Sequence, residues 1–221
     1  MAPQPAVIAA VFDVDRTLLP GTTTERLFIR YLFGKRVLGL GTLARTAGYL
    51  LRALPRMSAL EAIRRNRVYL AGRPVARVKP MAVRCYEEVI RPLMSEAGRA
   101  AVREHREQGH LTVLLSGSLD FLLEPLQRDL GADHLISTHL EEVGGRFTGR
   151  IEGLWPYGDT KAVLVRHFAE AHGVHLAASY AYADHPSDES VLALVGNPTV
   201  INPRPKMQQI AERRRWPTKT F

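Results

Sequence analysis

Asp13 and Asp15 stand two residues apart, directly behind the apolar run Ile8-Ala9-Ala10-Val11-Phe12. A strand buried on both faces reads as an unbroken apolar run. Acids at its exit, at i and i+2, continue one face of that strand and converge on one side. Paired carboxylates repel, so holding them together calls for a cation or a shared proton. One of them could attack an electrophile while the other moves a proton. A solvated turn with two acids has the same local pattern, so the pair by itself leaves both readings open.

The same arrangement recurs along the chain. Ser116-Gly117-Ser118 follows the apolar run at residues 111–115, and Asp184 follows the run at residues 180–183. In an open parallel sheet, ligands bind outside the carboxyl ends of the strands, so these distant segments should meet along one edge. Asp13, Asp15, Asp184 and Asp188 gathered there would suit Mg²⁺, a hard cation that prefers oxygen ligands. Ser116 and the amides beside Gly117 could hold an anionic oxygen. Lys161, at the start of a helix, could supply a fixed positive charge.

These residues need elements to position them. A strand is expected at residues 7–12. Helical patterning follows, with a first helix capped by Thr22, Thr23 or Thr24 and Glu25 in its first turn. Further helices fit residues 37–54, 58–71, 75–90 and 96–108; Ser58 and Glu61 have the spacing of a capping box. From Gly109 the pattern changes to strands at 111–115, 134–137, 180–183 and 199–201. Helices alternate with them at 120–129, 160–172, 188–194 and 206–214, and Asp159 or Thr160 is the expected cap of the second. Gly144-Gly145 reads as the turn of a hairpin. Strands alternating with helices imply a mainly parallel sheet covered on both faces. The fold class predicted is therefore α/β, a Rossmann-like parallel sheet core at residues 1–20 and 109–221. An α-helical cap subdomain is inserted at 21–108.

Composition narrows the function. The chain has 221 residues and one cysteine, Cys85, which excludes an intramolecular disulfide framework and fits a reducing, cytoplasmic setting. Cys85 reads as a packing residue. The start lacks the basic and apolar regions of a secretory signal. No run of about 18 uninterrupted apolar residues is present, which argues against a spanning helix. The net charge is +8, but Arg26 to Arg106 holds eighteen Lys/Arg against five Glu and no Asp, a local +13 that leaves −5 for the remainder. The basic part would attract phosphorylated small molecules or acidic lipid, the latter as a peripheral membrane contact through the cap. No zinc-finger spacing, basic zipper or RNA-binding motif points to specific nucleic acid.

Taken together, the spaced motifs resemble the haloacid dehalogenase superfamily, in its phosphoserine-phosphatase-like branch (subfamily IB) with a helical cap after the first strand. Asp13-Val14-Asp15-Arg16-Thr17 resembles the family's first motif, Leu114-Leu115-Ser116-Gly117 the second, Lys161 the third, and Tyr182-Ala183-Asp184-His185-Pro186-Ser187-Asp188 the fourth. The resemblance implies a Mg²⁺-dependent phosphatase. Asp13 would attack phosphorus to form an aspartyl-phosphate, and Asp15 would protonate the leaving group and then activate water. Ser116, Gly117 and Lys161 would bind the phosphoryl oxygens. Asp13, Asp184 and the backbone carbonyl of Asp15 would hold the metal, with Asp188 beside it. Arg67 resembles the cap arginine that meets a phosphoserine carboxylate. The position matching the family's ammonium-binding acid falls near Thr22, and Glu25 lies three residues later.

Two positions depart from the family. Arg16 stands where a small residue is common; if that position has positive φ, Arg costs about 1 kcal/mol or more. His185-Pro186 replaces smaller residues and stiffens the fourth motif. A phosphorylated metabolite or lipid precursor is the expected substrate. Phosphoserine, phosphoryl transfer to an alcohol, and a catalytically silent phosphate-binding module are the alternatives. Trp155, Trp216, His167, His172 and His175 read as packing or surface residues, and Arg213-Arg214-Arg215 as a solvated helix end.

Overall fold

Strand β1 (Ala9–Asp13) is buried at every position, which is why its sequence is apolar up to its final aspartate. The computed structural model describes residues 6–39, 41, 42, 44, 47, 48 and 67–221. β1 pairs in parallel with β2 (Leu111–Leu119) on one side and β5 (Tyr180–Ala183) on the other. With β3 (His134–Val143), β4 (Arg146–Glu152), β6 (Asn197–Ile201) and β7 (Thr218–Lys219), they form a seven-stranded sheet of order β4-β3-β2-β1-β5-β6-β7. Only the β3–β4 pair is antiparallel, closed by the Gly144-Gly145 turn that the sequence predicts.

The period of two along the strands sends side chains to opposite faces. Ala10, Phe12 and Leu114 enter one core with α1 (Thr24–Gly34), α2 (Val75–Cys85), α3 (Glu96–Glu107) and α4 (Asp120–Leu130). Val11, Val113, Leu115 and Ala183 enter the other with α5 (Asp159–His172), α6 (Glu189–Leu192) and α7 (Pro205–Arg214). Helices therefore cover both faces, the expected α/β class. Some helix ends have a visible local cause. Thr23 Oγ1 accepts from Arg26 N at 3.2 Å to start α1, and Gly131, at φ 63°, ends α4.

The described elements inserted after β1 share the first core. Leu27, Phe28, Val78 and Ile90 pack in the same cluster as Phe12 and Phe147. Segment 67–75 runs along the outer edge of β4: Arg67 N donates to Gly149 O at 2.9 Å, Gly72 N to Phe147 O at 2.7 Å, and Val75 N to Gly145 O at 3.0 Å. This approach needs Gly149, whose φ is +86°; a Cβ there would lie 3.2 Å from Arg67 O and Val68 Cα. Helix α3 lies on the sheet, with Ser95 N bonded to Leu18 O at 3.0 Å and His105 Nε2 2.8 Å from the Tyr182 hydroxyl.

Several local expectations change. β2 continues through Ser116-Gly117-Ser118 to Leu119, with a register shift against β3, instead of ending at residue 115. β3 is a ten-residue strand because it continues into the hairpin. Neither Asp159 nor Thr160 caps α5; Gly158, at φ 57°, precedes it without a side-chain bond. Strand β7 was not expected; its two residues alone carry no periodicity. Residues 58–66 of the expected helix at 58–71 lie outside the described residues, and Val68–Leu70 is a 3₁₀ turn. Most of the expected 37–54 helix also lies outside them; positions 41, 42, 44, 47 and 48 are helical. Cys85 is buried, and burial pushes its thiol up to about 12, as suits packing. No helix among the described residues is long and apolar enough to cross a membrane.

Candidate active site

Two strand ends, a 3₁₀ turn and one helix start meet at the carboxyl edge of the sheet. Asp13 closes β1, and Asp184 follows β5. Asp188 ends the 3₁₀ turn Pro186–Asp188, and Lys161 lies in the first turn of α5. Carboxylate oxygens of Asp13, Asp184 and Asp188 lie within 4.8 Å of one another, and all three residues are buried. Lys161 Nζ donates to Asp13 Oδ1 at 2.6 Å and lies 2.7 Å from Asp188 Oδ1. Thr17 Oγ1 donates to the other Asp13 oxygen at 2.9 Å.

One ammonium among three carboxylates leaves the group short of positive charge. Burial, with Asp188 and Asp184 adding to it against Lys161, pushes the Asp13 carboxyl up to about 8. Burial and Asp188 likewise push Asp184 up to about 6, opposed by Arg16, Lys161 and Arg204. Burial disfavours the Lys161 charge, but Asp13 and Asp188 outweigh it and hold its pKa above the ordinary lysine value. A set of converging buried oxygen donors with unbalanced negative charge fits a hard divalent cation such as Mg²⁺.

The turn after β1 takes Asp15 elsewhere. Leu18 N and Leu19 N both reach Val14 O, at 3.0 and 3.1 Å, and Arg16 N returns to Leu19 O at 3.1 Å. Arg16 has φ 72°, the conformation that costs a non-glycine residue about 1 kcal/mol or more. Asn202 Nδ2 holds its carbonyl at 3.2 Å. Asp15 Oδ1 accepts from Thr24 N at 2.6 Å and Thr24 Oγ1 at 2.9 Å, while Oδ2 accepts from Ser118 Oγ at 2.6 Å and Ser116 Oγ at 3.1 Å. The four acids expected together thus divide. Asp13, Asp184 and Asp188 form one group, and the Asp15 carboxylate faces the hydroxyls of β2 and α1.

Next to Ser116, the Gly117 carbonyl accepts from Thr138 Oγ1 at 2.7 Å, Arg67 Nη2 at 3.2 Å and Trp155 Nε1 at 3.4 Å. A Cβ at Gly117 would sit 3.1 Å from Pro156 O and 3.3 Å from Trp155 Nε1, so the connection from β4 to α5 lies directly on this glycine. Arg67 Nε is 2.5 Å from Glu25 Oε1, which also accepts from the Tyr69 hydroxyl at 2.9 Å. Burial raises the Glu25 pKa against the pull of Arg67 and Tyr69. His185 Nδ1 accepts from Ser187 N at 3.1 Å and so braces the fourth-motif turn.

Sequence reasoning missed Thr17, Thr24, Ser118, Tyr69, Thr138 and Trp155. Thr17 and Ser118 lie inside quoted motifs and were within reach; Thr138 and Trp155 carry no local signal. Trp155, expected to pack, instead directs its N–H at the site. Arg213 and Arg214 both meet Glu189 and lie apart from it.

A family model for haloacid dehalogenase-like hydrolases matches residues 10–193. The chain is 31% identical over 219 residues to the "Inhibition of morphological differentiation protein" of Streptomyces azureus, covering 96% of this chain and 78% of that one. It is 31% identical over 218 residues to "Phosphoserine phosphatase SerB1" of Mycobacterium tuberculosis, covering 96% and 70%. Among solved structures, a protein of unknown function from Bordetella pertussis Tohama I aligns with a TM-score of 0.82 at 29% identity, over 97% of this chain and 98% of that one. A substrate-bound phosphoserine phosphatase shares the fold, with a TM-score of 0.65 at 18% identity over 93% and 91%. The chain belongs to the haloacid dehalogenase-like hydrolases. Within them its similarity is to the phosphoserine-phosphatase-like branch.

Proposed function

We propose that this protein is a phosphatase that hydrolyses a small phosphorylated metabolite or lipid precursor through an aspartyl-phosphate on Asp13. An Asp13 carboxylate oxygen attacks phosphorus, the ester P–O bond breaks, and Asp15 gives its proton to the departing alkoxide. Water then attacks the same phosphorus while Asp15 takes its proton. The bond from phosphorus to Asp13 breaks, releasing inorganic phosphate. Ser116, the Gly117 amide and Lys161 hold the phosphoryl oxygens, because this chemistry depends on alignment and on neutralising oxygen charge. Asp13, Asp184 and the Asp15 backbone carbonyl would hold Mg²⁺, with Asp188 beside them. The cation, when bound, offsets repulsion between the carboxylate and a phosphate dianion. The described residues inserted between β1 and α3 would serve as the cap over this edge.

The observation that carries this reading is the division of the acids: a buried carboxylate group at Asp13, and a separate carboxylate at Asp15 held by hydroxyls. Phosphoserine is the second reading. The activity named for the M. tuberculosis relative favours it.

A panel of phosphomonoesters including phosphoserine, assayed with Mg²⁺ and with a chelator, tests both. Metal-dependent turnover lost in Asp13→Asn, with an acid-stable phosphoenzyme trapped only in the wild type, is expected. Equal inactivity of both proteins across the panel would falsify the enzyme reading.

A further inference from the structure

Gly117 receives hydrogen bonds on one oxygen from three separate parts of the chain. Thr138 comes from β3, Trp155 from the connection between β4 and α5, and Arg67 from the segment laid along β4. A carbonyl oxygen has two lone pairs, so the two shorter bonds saturate it and the indole reinforces them. Thr138 is fully buried, and its hydroxyl needs an acceptor there.

The peptide unit is planar, so fixing this carbonyl also fixes the N–H of Ser118 on the opposite side of the same plane. That N–H donates to Ser116 Oγ at 3.0 Å. With its lone pair so engaged, Ser116 directs its own proton to Asp15 Oδ2 at 3.1 Å, where Ser118 Oγ also donates at 2.6 Å. A continuous chain therefore runs from three anchors, through one peptide, to the carboxylate assigned to proton transfer. Arg67 is committed at Nε to Glu25 and at Nη2 to Gly117.

We propose that Arg67, Thr138 and Trp155 form a clamp on the Gly117 carbonyl that orients Ser116 and Asp15. Arg67 is then a positioning residue and not the ligand of a substrate carboxylate. The proposal rests on the phosphatase reading of this site. It links the inserted segment to the second motif, so the placement of 67–75 on β4 sets the alignment of the reacting groups.

The test measures steady-state kinetics of the full chain with Mg²⁺. The substrates are p-nitrophenyl phosphate, which has neither carboxylate nor ammonium, and phosphoserine. Thr138→Val and Arg67→Met should each lower kcat about tenfold on every substrate turned over, with KM changed less than about twofold, because misalignment acts on the reacting groups. Trp155→Phe keeps an aromatic ring but removes the N–H together with the pyrrole ring that carries it, and should lower kcat about threefold; Thr138→Ser keeps the donor and should restore it. Trp155→Phe carries the test if a larger change fails to fold, as thermal melts will show. A rise in KM for phosphoserine alone in Arg67→Met, with p-nitrophenyl phosphate kinetics unchanged, would overturn the clamp. So would kcat values within about twofold of wild type in both Thr138→Val and Trp155→Phe. Wild-type turnover that survives Asp13→Asn removes the phosphatase reading and the clamp with it. Turnover that depends on Asp13 but ignores the clamp residues removes the clamp alone.

Discussion

Two polar regions adjoin at the carboxyl edge of the sheet, and they are built on opposite principles. Around Asp13, buried charge is left out of balance: three carboxylates share one lysine, and the Asp13 and Asp184 pKa values rise. Around Asp15, every close partner is a hydrogen-bond donor from a hydroxyl or an amide, and the neighbouring Gly117 carbonyl is equally well supplied. An unbalanced negative group invites a cation, which would offset its repulsion of a phosphate. A saturated group holds one geometry. The contrast suits a reaction in which one carboxylate must bond to phosphorus while another stays in place to move protons.

The largest effect should come from removing Lys161, the ammonium that touches both Asp13 and Asp188 in the first region. Lys161→Met leaves Asp13 and Asp188 buried without their counter-ion. It should cost about 3–5 kcal/mol in denaturant unfolding of the metal-free protein. A loss near zero would mean that the carboxylates were already neutral or hydrated.

Asp15→Asn, in the second region, turns an acceptor of two hydrogen bonds into a donor and should cost about 1–3 kcal/mol of stability. It should reduce kcat for alkyl phosphates by about 10²–10⁴. The loss should be smaller for p-nitrophenyl phosphate, whose leaving group needs no proton. An equal loss for both ester types would separate Asp15 from leaving-group protonation.

Gly117→Ala places a methyl group against Pro156 O and Trp155, and should cost about 1–3 kcal/mol of stability through overpacking. Combining it with Trp155→Ala should recover part of that loss; purely additive losses would argue against the contact.

The smallest effect concerns His105, a hydrogen-bonded group behind the Asp184 strand. Burial, with His110 and Lys219 adding and Glu104 opposing, lowers its pKa from about 6.5 to about 4. The unfolded chain therefore takes up this proton first on acidification. Stability from this group is complete above pH 6.5 and is lost as pH falls toward 4. His105→Gln should flatten the decline in Tm across that interval relative to wild type, and parallel curves would remove His105 as its source.

Much of the first region was legible in the sequence, because its residues sit at fixed places in repeating units. Asp13 and Asp184 each follow an apolar strand, and parallel strands bring their carboxyl ends to one edge. Lys161 falls in a helix start just as readably. Asp188, read from the sequence as one of the gathered acids, lies in the carboxylate group. The second region was less legible. Thr24 and Ser118 reach Asp15 because the turn at Arg16, held at φ 72°, rotates that carboxylate away from Asp13. Glu25 was left without a clear role, yet it meets both Arg67 and Tyr69. Thr138 and Trp155 lie in segments whose patterns describe only a strand and a connection.

Apart from the four motifs, which the family resemblance supplied, the order of apolar runs and polar exits was enough to determine the α/β class and the strand edge where the polar residues gather. These are properties of local periodicity and chain order, which need no knowledge of distant contacts. Tertiary structure alone decided that Asp15 parts from Asp13, that the inserted helices share the sheet's core, and that three remote donors meet on Gly117. Each of those outcomes is a packing relation between residues far apart in sequence, and spacing along a chain carries no record of which surfaces will touch.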